Sequence, residues 1–393
     1  MEIPSEVSKV AASMVADRRN LHKHPELGFH EEHTAGFIVQ RLESLGWSVK
    51  SAVGKTGILA EMHGNRPGAN VLLRFDMDAL PVQEENSHDF ISEVPGVMHA
   101  CGHDGHMAVG LALAKILSQK RESWPGFIRL VFQPAEEIGA GARAMLAEGA
   151  AASPRPDFAL AAHLWAEQPV GWFGLRPGAM MAAAHTFHVR VLGRGGHAGR
   201  PQNTADPIAA AAQIVCALQT IVSRNLDPTH AAVLSITQIH GGSADNIIPE
   251  ETSFSGTLRT FLDADLRLIE ERLRQIAVSV AEGMGCRAEV VIQQDTIAVV
   301  NDEKVVSVAV PVIRELYPNA EIDLSYQTMM AEDMAYFLDL IPGMMILVGA
   351  GKSDRSARFP HHHPRFDIDE TALSSTVAVL LGTALKLLNQ PVE

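Results

Sequence analysis

Apolar positions in the outer parts of the chain fall into short, nearly continuous runs that alternate with stretches of helical spacing. The runs lie at residues 71–75, 127–132, 158–162 and 344–348, and helical spacing marks residues 7–21, 34–45 and 107–119. A strand that is buried on both faces is apolar throughout, whereas a half-buried strand alternates. The pattern therefore predicts an α/β fold with a parallel-rich mixed sheet flanked by helices.

The middle of the chain has a different order of elements. Strands are predicted at residues 186–192, 231–239, 252–260 and 287–293, with helices at 207–223 and 264–283. That β-α-β-β-α-β order matches a ferredoxin-like α+β unit. At roughly 100–200 residues per domain, a chain of 393 residues suits two domains. We predict one domain of residues 1–182 and 295–393, and a second domain of residues 183–294 inserted into it.

The charge balance limits the partners of the protein. Asp and Glu number 46 against 32 Lys and Arg, the net charge is −14, and the sequence has no basic run. Such a chain does not favour nucleic acid or an anionic membrane as a partner. No apolar stretch reaches the ~18 uninterrupted residues of a membrane span, and the first residues do not resemble a signal peptide. We therefore expect a globular protein of the cytoplasm.

The three cysteines cannot all pair with one another, which also favours a reducing compartment. Cys216 falls on a predicted apolar helix, so we expect it to be an inert thiol of the core. Cys101 lies instead in the string His99-Ala100-Cys101-Gly102-His103. Thiolate and imidazole are good zinc ligands, and a glycine between them lets the backbone come close to an ion.

Other side chains that bind metals follow the predicted strands. They are Asp76 and Asp78, Glu136 and Glu137, His163, and the three histidines at 361–363. Taken singly, each has a plain alternative, such as a solvated helix N-terminus, a core histidine or an exposed loop. Together, thiolate, imidazole and carboxylate groups at the ends of separate strands favour a site for two metal ions. One of the adjacent glutamates would bind metal and the other accept a proton, while Asp78 would orient a ligating histidine from behind.

Eight ordered motifs give the chain a resemblance to a known family. They include Leu21–Gly28, Asp76–Pro81, His99–Asp104, Gln133–Glu137, Gly195–Ala198, Asn246–Pro249, Gly256–Arg259 and His362–Phe366. The chain resembles the dinuclear zinc aminoacylase/carboxypeptidase family. Within it, the motifs resemble the branch of hippurate hydrolase, N-acyl-amino-acid amidohydrolases and plant indole-acetyl-amino-acid hydrolases.

The resemblance implies roles for individual residues. It implies a zinc-exopeptidase-like catalytic domain whose metal ligands are Cys101, His103, Glu137, His163 and His362. It makes Glu136 the catalytic base, and it makes His197 a histidine that the inserted lid or dimerisation domain brings to the active site, often from a neighbouring subunit. Relatives outside this branch have His-x-Asp where this chain has Asp76-Met77-Asp78, so Asp76 is not assigned as a ligand. The choice of His362 over its two neighbours rests on its spacing to Pro364.

These expectations define a predicted reaction. Two divalent ions, zinc or alternatively Mn, Co or Ni, would activate water for cleavage of the amide bond of an N-acyl-amino acid. Arg259 and Asn246 would bind the substrate carboxylate, a bidentate task that suits Arg better than Lys. The alternatives are a dipeptidase or carboxypeptidase at the same site, or a binding protein without catalysis. We expect a small-molecule substrate or short peptide, and a homodimer or homotetramer.

Overall fold

The computed structural model describes residues 2–391. They form two compact units. Unit 1 comprises the described residues up to Met180, Val299–Tyr326, and those from Asp333 onward, whereas unit 2 comprises Met181–Ala298 and Gln327–Glu332. Residues 327–332, which the prediction assigned to the first domain, group with unit 2 instead. The backbone N–H of Ala182 donates to the carbonyls of Thr328 and Met330 at 3.2 and 3.0 Å, which ties this short segment to unit 2.

The strands of unit 1 form a mixed sheet in the order β1-β2-β4-β3-β5-β16-β6-β15. They are β1 (Ser48–Val53), β2 (Gly57–His63), β3 (Asn70–Asp76), β4 (Phe127–Gln133), β5 (Phe158–Pro169), β6 (Trp172–Gly174), β15 (Glu321–Asp323) and β16 (Gly343–Gly351). The pairs β3–β4, β3–β5, β5–β16 and β6–β15 are parallel, and the other three are antiparallel. The predicted parallel-rich sheet is confirmed. Two further short strands, β7 (Gly178–Met181) and β14 (Val299–Asn301), pair with each other.

Helices cover this sheet, and most of them contribute to one apolar core with it. They are α1 (Ile3–Lys23), α2 (Glu32–Ser44), α3 (His103–Gln119), α4 (Gly141–Ala147), α8 (Glu303–Leu316), α9 (Ala335–Leu340) and α10 (Thr371–Leu388). Among the described residues, α10 is the one helix whose length and apolar character would suit a membrane span, but 78% of it is buried in the protein. It packs against α1, α3 and α8, so it is a core helix of unit 1.

Unit 2 has its own core and a four-stranded antiparallel sheet in the order β10-β12-β8-β13. Its main elements are β8 (Ala183–Leu192), α5 (Pro207–Leu218), α6 (Thr220–Asn225), β10 (Ala232–Gly241), β12 (Glu251–Thr260), α7 (Asp263–Gly283) and β13 (Arg287–Thr296). This is the ferredoxin-like order. A short ribbon of β9 (Gly196–His197) and β11 (Ile247–Ile248) accompanies the sheet.

Two details of unit 2 differ from the sequence prediction. The helix predicted over residues 207–223 is broken at Gln219 into α5 and α6. Cys216 is exposed on α5, so the prediction of a core thiol was wrong. Helix α5 has apolar residues on nearly every side, so its sequence does not indicate which side faces the sheet.

Candidate metal centre

The turn before α3 places Cys101 and His103 side by side in the interior of unit 1. Gly102 adopts a left-handed conformation with φ +95°, which a residue with a side chain rarely takes, and α3 begins at the next residue. Cys101 is a free thiol with 6% of its surface exposed, and His103 is fully buried. The backbone of Cys-Gly-His thus turns tightly enough that the Cys and His side chains point into the same site.

The other four predicted ligands come together around Cys101. The Cys101 sulfur lies 3.5 Å from Nε2 of His163. Oxygens of Glu137 lie 3.8 Å from Nε2 of His103 and 3.2 Å from Nε2 of His362. Two groups whose ligand atoms all lie within 4.8 Å of one another share the thiol: Cys101, His103 and His163, and Cys101, Glu137 and His362. Such an arrangement offers two adjacent ion sites with a common sulfur.

Hydrogen bonds orient the two buried histidines. Nδ1 of His103 donates to the backbone carbonyl of Asp78 at 2.9 Å, and Nδ1 of His163 donates to the carbonyl of Leu164 at the same distance. Each ring therefore directs its Nε2 into the cluster, which is how metal-binding histidines are commonly held. The sequence predicted that His163 follows its strand, but β5 continues to Pro169 and His163 lies within it.

The side chain of Asp78 holds Glu136 and Glu137 through their backbone N–H groups. One carboxylate oxygen accepts a hydrogen bond from the N–H of Glu136 and the other from the N–H of Glu137, each at 3.0 Å. The turn is closely packed, since a Cβ added at Gly141 would lie 1.6 Å from the carbonyl oxygen of Pro134. Ligand atoms of Glu136, Glu137 and His103 lie within 4.8 Å of one another. One carboxylate side chain thus fixes the positions of both glutamates.

The three consecutive histidines have three different environments. Nε2 of His361 donates to the carbonyl of Leu164 at 3.0 Å, and His363 accepts a hydrogen bond from the N–H of Arg365 and stacks on Phe359. His362 is the one that faces Glu137. Its backbone has φ +68°, a costly conformation for a residue with a side chain, and its N–H donates to the carbonyl of Ala100 at 2.7 Å.

A buried charge network behind the cluster was not predicted. Arg74 in β3 donates to Asp76, Gln133 and Asp333 at 2.6–2.9 Å. Asp76 also lies 2.5 Å from Nδ1 of His106, whose Nε2 accepts a hydrogen bond from the N–H of Leu164. Both nitrogens of His106 are therefore engaged, and Asp76 is held by an arginine and a histidine. The one feature of the sequence that could have indicated this network is the charged Arg74 inside an apolar strand.

The electrostatics of the cluster fit a bound cation. Burial alone would lower the pKa of His103, but the carboxylates of Asp76, Asp78 and Glu137 raise it to about 10. Burial, together with the charges of Glu137, Glu136 and Asp76, raises the pKa of the Cys101 thiol.

Two buried polar atoms of the cluster make no hydrogen bond within the described residues. Within residues 2–391, the buried atoms Nε2 of His103 and Oε1 of Glu137 have no hydrogen-bond partner. Divalent ions would satisfy these atoms and replace the proton that His103 otherwise holds. A mixed sulfur, nitrogen and oxygen donor set of this kind suits zinc.

The remaining predicted site residues lie in unit 2. His197 is exposed on β9 opposite Ile247, and its Nδ1 accepts a hydrogen bond from the N–H of Gly199 at 2.9 Å. The carbonyl of Asn246 accepts from the N–H of Ala198 at 3.0 Å, so the ribbon brings His197 and Asn246 together. Arg259 is half-buried on β12, donates to Thr257 and to the carbonyl of Leu258, and has its pKa lowered by burial.

Comparisons with known proteins agree with this architecture. Residues 72–386 match the sequence profile of peptidase family M20/M25/M40. An N-acyl-L-amino acid amidohydrolase of Geobacillus stearothermophilus is 44% identical over 73% of this chain and 78% of its own length. Thermostable carboxypeptidase 2 of Saccharolobus solfataricus is 35% identical over 99% of both chains. The crystal structure of a dinuclear metal-binding M20 peptidase from Bacillus subtilis has 33% identity and a TM-score of 0.85, covering 97% of this chain and 99% of that one.

The chain therefore belongs to peptidase family M20/M25/M40. It is a hydrolase of amide bonds, and the family resemblance drawn from the ordered motifs is confirmed.

Proposed function

We propose that this protein hydrolyses the amide bond of N-acyl-amino acids at the Cys101 cluster. The observation that carries the proposal is the placement of Glu136 within 4.8 Å of ligand atoms of His103 and Glu137, with both glutamate N–H groups fixed by Asp78. A site that only bound a ligand would not need a second carboxylate next to the metal-binding one. The similarity to an N-acyl-L-amino acid amidohydrolase supports the same substrate class.

The proposed metal ligands divide into two sets that share the Cys101 thiolate. His103 and His163 complete one set, and Glu137 and His362 complete the other. Two divalent ions, of which we expect zinc and for which Mn, Co or Ni are alternatives, would activate water and polarise the scissile carbonyl.

Glu136 serves as the proton carrier of the reaction. Its carboxylate takes a proton from the attacking water and then passes that proton to the nitrogen of the leaving amino acid, so it acts first as base and then as acid. The backbone N–H of Glu136 donates to Asp78 at 3.0 Å, and this hydrogen bond keeps the Glu136 side chain close to Glu137. Such preorganisation matters because proton transfer requires hydrogen-bond distance.

The residues of unit 2 take the proposed roles of binding and charge stabilisation. His197, from the same chain or a neighbouring one, donates a hydrogen bond to the carbonyl oxygen as negative charge develops. Arg259 and Asn246 bind the carboxylate of the amino-acid half of the substrate. These roles give unit 2 the function of a lid or dimerisation domain.

The decisive assay measures amino-acid release from a panel of N-acetyl-, N-benzoyl- and aminoacyl-amino acids, with zinc, manganese or cobalt supplied to the metal-free enzyme. We expect cleavage of the N-acyl compounds, and loss of cleavage when the substrate carboxylate is converted to an amide. Turnover confined to peptides with a free amine would favour a dipeptidase or carboxypeptidase, the second candidate, which the similarity to thermostable carboxypeptidase 2 supports. No turnover of any compound would contradict the proposal.

We further propose a cytoplasmic homodimer or homotetramer. The three cysteines are free thiols, which suits a reducing compartment. Unit 2 exposes large apolar side chains, including Ile239, Ile247 and Val291, at 55–62% of their surface. Light scattering of the purified protein should give two or four chains, and a monomer at micromolar concentration would contradict this part of the proposal.

A further inference from the structure

A second cluster of ligand-type side chains in unit 1 shares no residue with the Cys101 cluster. It consists of His22 near the end of α1, and Glu84 and His88 from the segment between β3 and α3. Nε2 of His22 lies 3.2 Å from Oε1 of Glu84, and Nε2 of His88 lies 3.5 Å from the same oxygen. Ligand atoms of the three residues all lie within 4.8 Å of one another.

These separations agree with those of ligands around one ion. Zinc–nitrogen and zinc–oxygen bonds of about 2.0–2.1 Å place two ligand atoms of a tetrahedral ion about 3.3 Å apart. The two distances to Glu84 are 3.2 and 3.5 Å. Two histidines and one glutamate are also a ligand set that zinc proteins use.

His22 is oriented from behind in the manner of a metal ligand. Its Nδ1 lies 2.8 Å from a carboxylate oxygen of Asp104, which leaves Nε2 directed at Glu84. Carboxylate oxygens of Asp104 and Glu84 thus face the two ring nitrogens of His22, and the nitrogen toward Glu84 is the one that would bind an ion. The positive charge of the neighbouring Arg18 is offset by ion pairs with Asp104, Asp367 and Glu370.

The ring of His88 is held in a fixed position, and its two nitrogens make no hydrogen bond within the described residues. Within residues 2–391 neither of its buried ring nitrogens has a hydrogen-bond partner. The ring stacks on Phe90 with centroids 3.7 Å apart and planes inclined by 13°, which holds Nε2 toward Glu84. A bound ion would satisfy a nitrogen that is costly to leave unpaired.

Glu84 is held in place as well, and the cluster borders a cavity through His88. The N–H of Ser92 donates to one Glu84 oxygen at 2.7 Å, and Asn86 donates to the other at 3.0 Å. A cavity of about 700 Å³ is lined by Asn86, His88 and Phe90 among others, so it reaches the cluster at His88.

We propose that His22, Glu84 and His88 bind a third divalent ion of the zinc type. This ion links α1 to the segment that leads into Cys101 and His103. It touches none of the residues proposed for the reaction, so its role is to stabilise the fold and not to activate substrate.

The test counts metal ions in the intact protein. The metal-free enzyme is loaded with zinc, freed of unbound zinc by gel filtration and measured by plasma mass spectrometry. We expect three ions per chain, falling to two in His88→Gln with hydrolysis unchanged. His63→Gln, which alters an exposed histidine at the end of β2, is the matched control and should keep three. Two ions in the unmodified protein, or three in both variants, would overturn the proposal.

A cobalt titration of the unmodified protein does not depend on the variants. Cobalt bound to the Cys101 thiolate produces a sulfur charge-transfer absorption, whereas cobalt at His22, Glu84 and His88 produces none. We expect a third equivalent of cobalt to bind tightly. It should increase the visible absorption and raise the melting temperature, while the charge-transfer band stays constant. Saturation after two equivalents would contradict a third site even if His88→Gln failed to fold.

Discussion

The residues proposed for metal binding and those proposed for substrate binding are held by the fold in different ways. In unit 1, Cys101, His103 and His163 are buried, both histidine rings donate to backbone carbonyls, and His362 is half-exposed. In unit 2, His197 is exposed on a two-stranded ribbon and Asn246 is exposed directly before its second strand. Ligands that face an ion must be fixed before it binds, whereas groups that meet a substrate can adjust to it. The two sets should therefore respond differently to mutation.

The largest effect is expected at Glu136, which belongs to the metal-binding region but is proposed to carry protons. Glu136→Gln keeps the size of the side chain and removes proton transfer, so kcat should fall on the order of 10²–10⁴-fold. Zinc content, measured by plasma mass spectrometry, should stay normal. Glu43→Gln on the exposed side of α2 is the control. An equal loss of zinc would instead make Glu136 a ligand and reverse the roles of the glutamate pair.

His197→Ala tests whether an exposed residue of unit 2 takes part in the reaction. Removal of one donor to a developing oxyanion costs on the order of 10²–10³ in kcat. KM and zinc content should barely change, since the contact forms in the transition state. His188→Ala, also exposed in unit 2, serves as the control. An unchanged kcat would remove His197 from the mechanism.

Hybrid enzymes tell which chain supplies His197. If the residue acts in a neighbouring subunit, mixing inactive His197→Ala protein with inactive Glu136→Gln protein should restore part of the activity, because one hybrid site keeps both residues. Absence of recovery after verified subunit exchange would place His197 in the site of its own chain.

A smaller effect is expected at Asp78, and it should fall on metal affinity. In Asp78→Asn one oxygen becomes an NH2 group, which faces a backbone N–H of Glu136 or Glu137 where a carboxylate oxygen accepted before. Loss of such support typically costs 10–100-fold in metal affinity. Competition with a zinc chelator measures it, with the exposed Asp354→Asn as control. Unaltered affinity would show that the glutamate pair keeps its place without Asp78.

The smallest effect is expected at Arg259. Arg259→Lys keeps the charge and loses the planar pair of donors, so KM should rise about tenfold while kcat stays near its original value. Steady-state kinetics with an N-acetyl-amino acid measure both constants, and Arg190→Lys on the exposed face of β8 is the control. A loss confined to kcat would argue against carboxylate binding.

Local patterns were enough to predict much of unit 1. The runs at 71–75 and 127–132 became β3 and β4, because strands buried on both faces leave an unbroken apolar signature. The string around Cys101 and the adjacent Glu136 and Glu137 stood out because ligand-type side chains in apolar surroundings are costly without a partner.

Features that depend on distant partners could not be predicted. Arg74 forms its ion pair with Asp333, 259 positions away, and no local pattern connects the two. Only the resemblance to the family distinguished His362 from the histidines on either side of it. The left-handed backbone conformation that directs His362 toward Glu137 cannot be recognised in a run of three identical residues. Cys216 was misplaced because a helix that is apolar all round has no unique buried face.

The most direct test of the account titrates zinc into metal-free His88→Gln protein while following hydrolysis of an N-acetyl-amino acid. In this variant the proposed third site is disabled, so each added ion goes to the Cys101 cluster. The account predicts no turnover without metal, a plateau at two zinc ions per chain, and no recovery at any zinc concentration when Cys101→Ala is added. Full turnover in the metal-free protein, or a double variant that reaches the same plateau, would contradict it.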